Sequence, residues 1–138
     1  MVEIVPWERA GEACLAVRCR VFVEEQGVPM EIEVDGLDPR CIHALARGPD
    51  GEPVGTGRLL PDGRIGRMAV LPAWRGRGLG RDILSALESE ARRRGRDRVL
   101  LHAQVAARGF YEAAGYRAVG GVFEEAGIPH VTMVKRLE

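Results

Sequence analysis

The chain has 138 residues, with 20 basic residues (Lys and Arg) against 20 acidic ones (Asp and Glu), so its formal net charge is zero. This length suits one domain that buries its own core, and we expect residues 1–138 to form a single domain. The neutral balance argues against a nucleic-acid partner held by bulk charge.

The sequence also lacks signals for a membrane or a metal. No apolar run is long enough to span a bilayer, and residues 1–6 lack the basic and then apolar layout of a signal peptide. Cys14, Cys19 and Cys41 have no CxxC spacing, so neither a disulfide framework nor a zinc site is indicated. We therefore expect a cytoplasmic protein that contacts no membrane and binds no metal.

In chain order, hydrophobic patterning first predicts a short strand and then a helical stretch that follows Pro6 and ends at Gly27. The polar stretch 28–40, where proline and glycine interrupt acidic residues, is expected to be a long functional loop. Two turn signals, Gly48–Gly51 and Pro61–Gly63, separate the next three strands. Neighbouring strands on short turns predict an antiparallel meander.

The second half completes a layered pattern. A strand stopped by Pro72 leads through a glycine loop into a helix closed by Gly95, and then come a strand, a short helix and two strands joined through residues 124–129. The strands are expected at residues 2–5, 41–46, 54–60, 64–71, 99–105, 116–123 and 130–137. The order β, α, β, β, β, α, β, α, β, β indicates an α/β (α+β layered) domain.

The glycine loop predicts an anion site. Gly76, Gly78 and Gly80 have no Cβ, so the backbone can approach a ligand closely, and the N–H groups of the following helix's first turn point out of its positive end. Phosphate suits such a site, and Arg75, Arg77 and Arg81 add positive charge around it. The alternative is a glycine-rich turn beside solvated arginines.

The spacing of the glycines decides between known phosphate loops. A Walker loop needs Gly-Lys-Ser/Thr, and a dinucleotide fingerprint needs its third glycine one residue later than the glycine found here. What matches is Arg-x-x-Gly-x-Gly at Arg75, Gly78 and Gly80, directly after a strand. This segment resembles the signature of the GNAT superfamily of N-acetyltransferases, whose loop binds the pyrophosphate of acetyl-coenzyme A.

Two further segments extend the resemblance to essentially the whole chain. Residues 110–116, Phe-Tyr-Glu-Ala-Ala-Gly-Tyr, resemble the segment that follows the cofactor loop in GNAT enzymes, and residues 21–29 and 127–130 resemble the ElaA-like subgroup. The resemblance implies a mixed, mostly antiparallel sheet of about six to seven strands flanked by helices and splayed between the fourth and fifth strands.

By this resemblance, the fourth strand pairs with the pantetheine arm of acetyl-CoA, and the N–H of Met68 polarises the thioester carbonyl. Tyr111 matches a tyrosine that donates a proton to the departing thiolate. A helix tyrosine that only packs and hydrogen-bonds is the alternative for Tyr111. The expected cofactor-binding residues are Met68, Ala69, Val70, Arg75, Gly76, Arg77, Gly78, Leu79, Gly80, Arg81, Gln104, Phe110 and Tyr111.

The acceptor is expected to be an unidentified amine, which must lose a proton before it attacks. Arg64 stands where histone-modifying relatives carry a glutamate base, so that mechanism does not transfer. The candidate bases are Glu24, Glu25, Asp35, Asp38, His43 and His130, of which Glu25 and His43 are assigned catalytic roles. The acidic stretch, through Glu24, Glu25 and Asp35, is expected to bind a cationic substrate, or else to be a solvated loop.

The leading interpretation is therefore an N-acetyltransferase that works by direct attack in a ternary complex. A non-catalytic sensor of acyl-coenzyme A is the alternative. An oxidoreductase domain is disfavoured by the glycine spacing and the short length. The expected partners are acetyl-CoA and the amine, and a homodimer is included as a possible assembly.

Overall fold

A seven-stranded sheet runs through the computed structural model, which describes residues 2–137. The strands are β1 (Val2–Val5), β2 (Ile42–Arg47), β3 (Pro53–Leu59), β4 (Arg64–Val70), β5 (Arg98–Gln104), β6 (Arg117–Glu125) and β7 (Ile128–Arg136). The helices are α1 (Trp7–Arg18), which continues as a π-helix over Cys19–Glu25, α2 (Met30–Glu33), α3 (Leu79–Arg93) and α4 (Arg108–Ala113). This confirms the predicted α/β class and element order, and it adds α2 within the stretch expected to be a loop.

The sheet has the order β1-β2-β3-β4-β5-β7-β6, and its first four strands form the expected antiparallel meander. The β4–β5 pair is parallel and extends over only two partner pairs, Arg64 with Leu100 and Ile65 with Leu101. Beyond Ile65 the two strands separate, which confirms the predicted splay. The register of β4 against β3 shifts at this point, and Arg67 has a φ of 51° there. Such a bulge bends a strand and increases its twist, so it turns β4 away from β5.

Helix α3 covers one face of the sheet. Its apolar stripe, Ile83, Leu84, Leu87 and Ala91, is fully buried in the main core. Gly57 on β3 lets the helix come this close, because a Cβ there would lie only 2.9 Å from Ile83 Cγ2 and 3.0 Å from Leu87 Cδ1. The tight contact fixes the helix, and hence the loop that precedes it, against the sheet.

Helix α1 and the π-helix cover part of the other face. Val17 and Val21 bury their side chains against Ala69 of β4, and α1 also contacts β2 and β3. On the same face, β5, β7 and β6 continue past the helix. The space between the helix and these strands forms a cavity, described below.

The hairpin of β6 and β7 differs from expectation. Residues 124–129 were predicted to form a loop, but β6 runs to Glu125 and β7 begins at Ile128, so the turn contains only Ala126 and Gly127. Both residues have positive φ, 54° and 76°. A two-residue turn with this backbone matches the twist of the strands that it joins. The prediction of a loop was wrong because alanine seldom adopts a positive φ.

Candidate active site

The glycine loop precedes α3 as the sequence predicts. Gly78 is the N-cap of α3 and has a φ of 83°, and Gly76 has a φ of 77°. A Cβ at either position would meet nothing within 4 Å, so these glycines face open space and serve the backbone conformation. Gly80 has no such φ, and a Cβ there would lie 3.3 Å from Cζ of Phe110. The N–H groups of the first turn of α3 therefore face solvent, and the Phe110 ring lies beside this turn.

The arginines around this loop are partly engaged. Nε of Arg75 donates to the Val70 carbonyl at 2.9 Å, and its guanidinium binds the Glu25 carboxylate at 2.7 and 2.9 Å. The Arg77 guanidinium lies over the Trp74 ring, 4.9 Å from the centroid, and Arg81 is exposed. Arg75 thus links the end of β4 to the π-helix, while Arg77 and Arg81 remain on the surface.

A cavity of about 500 Å³ opens where β4 and β5 separate. Six of the residues predicted to bind the cofactor line it: Met68, Ala69, Val70, Arg75, Gln104 and Tyr111. The Met68 side chain packs against the main core, as does that of Val70. The remaining predicted cofactor residues, Gly76–Arg81 and Phe110, do not line the cavity.

Tyr111 stands on α4 with only 9% of its surface exposed. Its ring meets Phe110 and Tyr116 edge-on, at centroid distances of 5.0 and 5.8 Å. Burial raises the pKa of its phenol to about 12, because the phenolate is poorly solvated there. The hydroxyl therefore keeps its proton at neutral pH and remains available as a donor.

Gln104 ends β5 and reaches across the cavity. Its Nε2 donates to Oε1 of Gln26 at 2.9 Å, which ties the splayed strand to the end of the π-helix. Gln26 also lines the cavity. Sequence reasoning did not single out Gln26, since the contact joins residues 78 positions apart.

The acidic stretch is neutralised by arginines. Asp35 accepts from Arg58 at 2.6 Å and from Arg67 at 3.2 Å. Beneath it, Arg18 donates to Glu33 at 2.6 Å and to Asp38 at 2.8 Å. We call these six residues the charge cluster, and its three arginines balance its three carboxylates. The hydrogen bond from Arg58 holds the pKa of Asp35 well below its usual range. Glu33 and Asp38 are buried, so the alternative of a solvated loop is wrong for them.

Four of the other predicted acceptor residues lie outside the cavity lining, namely Glu24, Glu25, Asp38 and His43. Glu24 is exposed near Arg20, and Glu25 binds Arg75. His43 is 1% exposed, and its Nε2 lies 2.9 Å from the Asp38 carbonyl oxygen. Burial lowers the pKa of His43, since its charged form is poorly solvated. The structure thus does not bring His43 together with Tyr111, and an amine in the cavity would not meet its ring.

A pair of cavity residues, His102 and Glu125, was also missed from the sequence. His102 of β5 has Nδ1 at 2.9 Å from Oε1 of Glu125, and both residues line the cavity. The Phe123 ring meets His102 edge-on at 5.1 Å. Glu125 was missed because it was assigned to a loop, and His102 because only the strand order β5-β7-β6 brings the two together. His130, which was a candidate base, also lines the cavity.

Comparisons with known proteins show the family to which the chain belongs. A sequence profile described as "Acetyltransferase (GNAT) domain" matches residues 38–137. The chain belongs to the GNAT acetyltransferase family. It is 43% identical over 124 residues to YjcF of Bacillus subtilis, described as an uncharacterized N-acetyltransferase, with 86% of this chain and 87% of YjcF covered. It is also 35% identical over 133 residues to ElaA of Escherichia coli, with 91% of this chain and 86% of ElaA covered.

Solved structures of GNAT proteins share the fold over nearly the full chain. The crystal structure of E. coli ElaA superposes with a TM-score of 0.87 at 31% identity and covers 98% of this chain and 99% of ElaA. An acyl-CoA N-acyltransferase from Pseudomonas aeruginosa gives a TM-score of 0.86 at 33% identity, with 98% of each chain covered. The expected resemblance to ElaA is thereby confirmed. Within residues 2–137, no helix combines the length and apolarity that crossing a membrane requires.

Proposed function

We propose that this GNAT protein transfers an acetyl group from acetyl-CoA to a primary amine of a small molecule or peptide, by direct attack in a ternary complex. The observation that carries the proposal is the cavity at the splay, which residues of β4 and Tyr111 line together. The acyl-CoA N-acyltransferase named above supports a coenzyme A thioester as the donor.

The proposed cofactor path follows the two signatures. The pyrophosphate binds at Gly76–Gly80, where the positive φ of Gly78 exposes the N–H groups that begin α3. The pantetheine arm pairs with β4 in the manner of an added strand. Arg67 and Met68 have no partner in the register between β3 and β4, and β5 has already separated, so among the described strands the Met68 backbone is free to face the arm.

The proposed chemistry uses the backbone N–H of Met68 and the phenol of Tyr111. The N–H of Met68 donates to the thioester oxygen as it becomes an oxyanion, a contribution that is commonly worth about 3 kcal/mol of barrier. Tyr111 donates its proton to the thiolate as the C–S bond breaks. Burial raises the pKa of this phenol to about 12, so the phenol is protonated at neutral pH and has a proton to donate.

Calorimetry and thiol release test the proposal together. Acetyl-CoA should bind and NAD should not, and a panel of primary amines should contain at least one that accelerates thiol release from acetyl-CoA. Binding without thiol release for any amine would favour a sensor. Absence of acetyl-CoA binding would reject the assignment of the cavity and loop.

A further inference from the structure

The carboxylates that line the cavity differ in what binds them. Glu33 and Asp35 belong to the charge cluster and accept from arginines. Glu125 has no arginine or lysine partner within residues 2–137, and its contact is the imidazole of His102. An incoming ammonium group would have to break strong ion pairs to use Asp35 but would find Glu125 and His102 without a competing cation.

The contact between His102 and Glu125 fixes the tautomer of the neutral imidazole. A carboxylate only accepts hydrogen bonds, so in the neutral imidazole Nδ1 of His102 carries the hydrogen and Nε2 has the lone pair. Within the described chain, Nε2 makes no hydrogen bond, and 28% of the His102 side chain is exposed. The Phe123 ring, edge-on at 5.1 Å, limits rotation of the imidazole. The result is an oriented, accessible proton acceptor.

The position of His102 suits the reaction. It stands two residues before Gln104 on the splayed β5, so alternation along the strand puts both side chains on the face that lines the cavity. Two residues of a strand span about 6.6 Å, which leaves room for an acceptor between His102 and a thioester near Gln104.

We infer that His102, held by Glu125, is the site that receives the acceptor amine and removes its proton. This inference rests on the proposed function. The ammonium proton passes to Nε2, and the nitrogen lone pair then forms the C–N bond to the thioester carbonyl carbon. Collapse of the intermediate breaks the C–S bond, the thiolate takes a proton from Tyr111, and Tyr111 regains one from the new amide nitrogen. His102 later releases its proton to water.

His130 is the competing candidate in the same cavity. Its Nδ1 lies 2.7 Å from the Ile128 carbonyl oxygen, so in the neutral ring its Nε2 also has the lone pair. It is only 7% exposed, however, and its ring lies roughly parallel to that of Phe123 at 6.1 Å. An amine reaches His102 more readily, and His130 serves as the matched control.

The test compares His102→Asn, His102→Gln, Glu125→Gln and His130→Gln, using the best amine of the panel in a thiol-release assay. Asn places an amide N–H near the former Nδ1, so it preserves the contact with Glu125 but removes Nε2 and its lone pair. We expect His102→Asn and His102→Gln to lower kcat/KM for the amine about a hundredfold at neutral pH, with acetyl-CoA affinity within twofold of the parent. His130→Gln should stay within threefold.

The pH profile separates a base from a structural residue. For an amine with a pKa near 10, the unprotonated fraction falls about tenfold for each unit of pH below that value. The His102 variants should therefore recover towards parental rates as pH rises, because more of the amine is then already neutral. Glu125, His130, Arg64 and Arg67 line the same cavity, and of these residue types only histidine ordinarily titrates between about pH 5 and 8. Glu125→Gln should lower the rate about tenfold and also change its dependence on pH, because the negative charge beside the imidazole is lost while an oxygen that accepts from Nδ1 remains.

Different outcomes test the role of His102 and the acetyltransferase proposal separately. Parental amine kinetics in both His102 variants, or a loss in them that does not change with pH, overturns the role of His102 and leaves the acetyltransferase proposal standing. A larger loss in His130→Gln than in His102→Asn assigns the proton to His130 instead. A parent enzyme that releases no thiol with any amine overturns the acetyltransferase proposal, and this inference with it.

Discussion

Two glycines at opposite ends of α3 form a matched pair for testing the cofactor loop. Gly78 has a φ of 83° at the N-cap, Gly95 has a φ of 85° just past the C-terminus, and a Cβ at either would meet nothing within 4 Å. Alanine in this backbone region costs about 1–2 kcal/mol, so both Gly78→Ala and Gly95→Ala should lower the free energy of unfolding by that amount. Only the change at Gly78 should also weaken acetyl-CoA binding.

A negative charge introduced at position 78 tests the proposed pyrophosphate contact more directly than alanine does. Asn and Asp both tolerate a positive φ, so Gly78→Asn and Gly78→Asp have similar backbone strain and differ by one negative charge. Two unit charges about 4 Å apart in water repel by about 1 kcal/mol, and a pyrophosphate has roughly two charges. Gly78→Asp should therefore bind acetyl-CoA at least tenfold more weakly than Gly78→Asn, a difference of about 1.4 kcal/mol.

For all four variants, calorimetry measures the affinity for acetyl-CoA, and thermal unfolding measures the loss of stability separately. Gly95→Ala should lose stability and keep parental affinity, which controls for strain at the helix ends. If Gly78→Asp, still folded, binds acetyl-CoA as tightly as Gly78→Asn, the pyrophosphate does not lie at this loop, and the reasoning from the glycine signature fails.

Three further results are expected. Tyr111→Phe should keep acetyl-CoA affinity but lower kcat about a hundredfold, since the ring still packs while the proton donor is lost; turnover within twofold of the parent would make Tyr111 structural. Gly57→Ala should lower the free energy of unfolding by about 1–3 kcal/mol, because its Cβ would overlap Met68 and Ile83, and urea unfolding measures this. Because the pKa of Asp35 is lowered in the folded state, its contribution to stability is present at neutral pH and is lost as pH falls below about 4. Asp35→Asn should therefore show a smaller fall in the free energy of unfolding between neutral and acid pH, and an equal fall would contradict that sign.

Local patterns were sufficient to predict most of the architecture. The periodicity of α3 and the turn signals around β2, β3 and β4 depend on neighbouring residues, so a single sequence reveals them. The splay was predicted only through the resemblance, because it depends on a bulge at Arg67, and arginine is not a residue type that signals a positive φ.

The acceptor side could not be predicted in the same way. A count of acidic residues does not reveal that Asp35 is bound by Arg58, 23 positions away, or that Asp38 is bound by Arg18, 20 positions away. The pair of His102 and Glu125 requires β6 and β5 to lie on either side of β7. Both cases depend on long-range topology that charge and spacing along the chain do not encode.

The charge cluster limits how the proposed acceptor side of this protein can be re-engineered. Its carboxylates lie on residues 33–38, but its arginines come from α1, β3 and β4. Exchanging residues 30–38 for the corresponding segment of a relative without these carboxylates would leave Arg18 and Arg58 buried without counter-ions, which typically costs about 3–5 kcal/mol. Because Arg67 belongs both to the cluster and to the bulge of β4, such a graft would also disturb the strand expected to hold the thioester. The segment and the three arginines therefore have to be transplanted together.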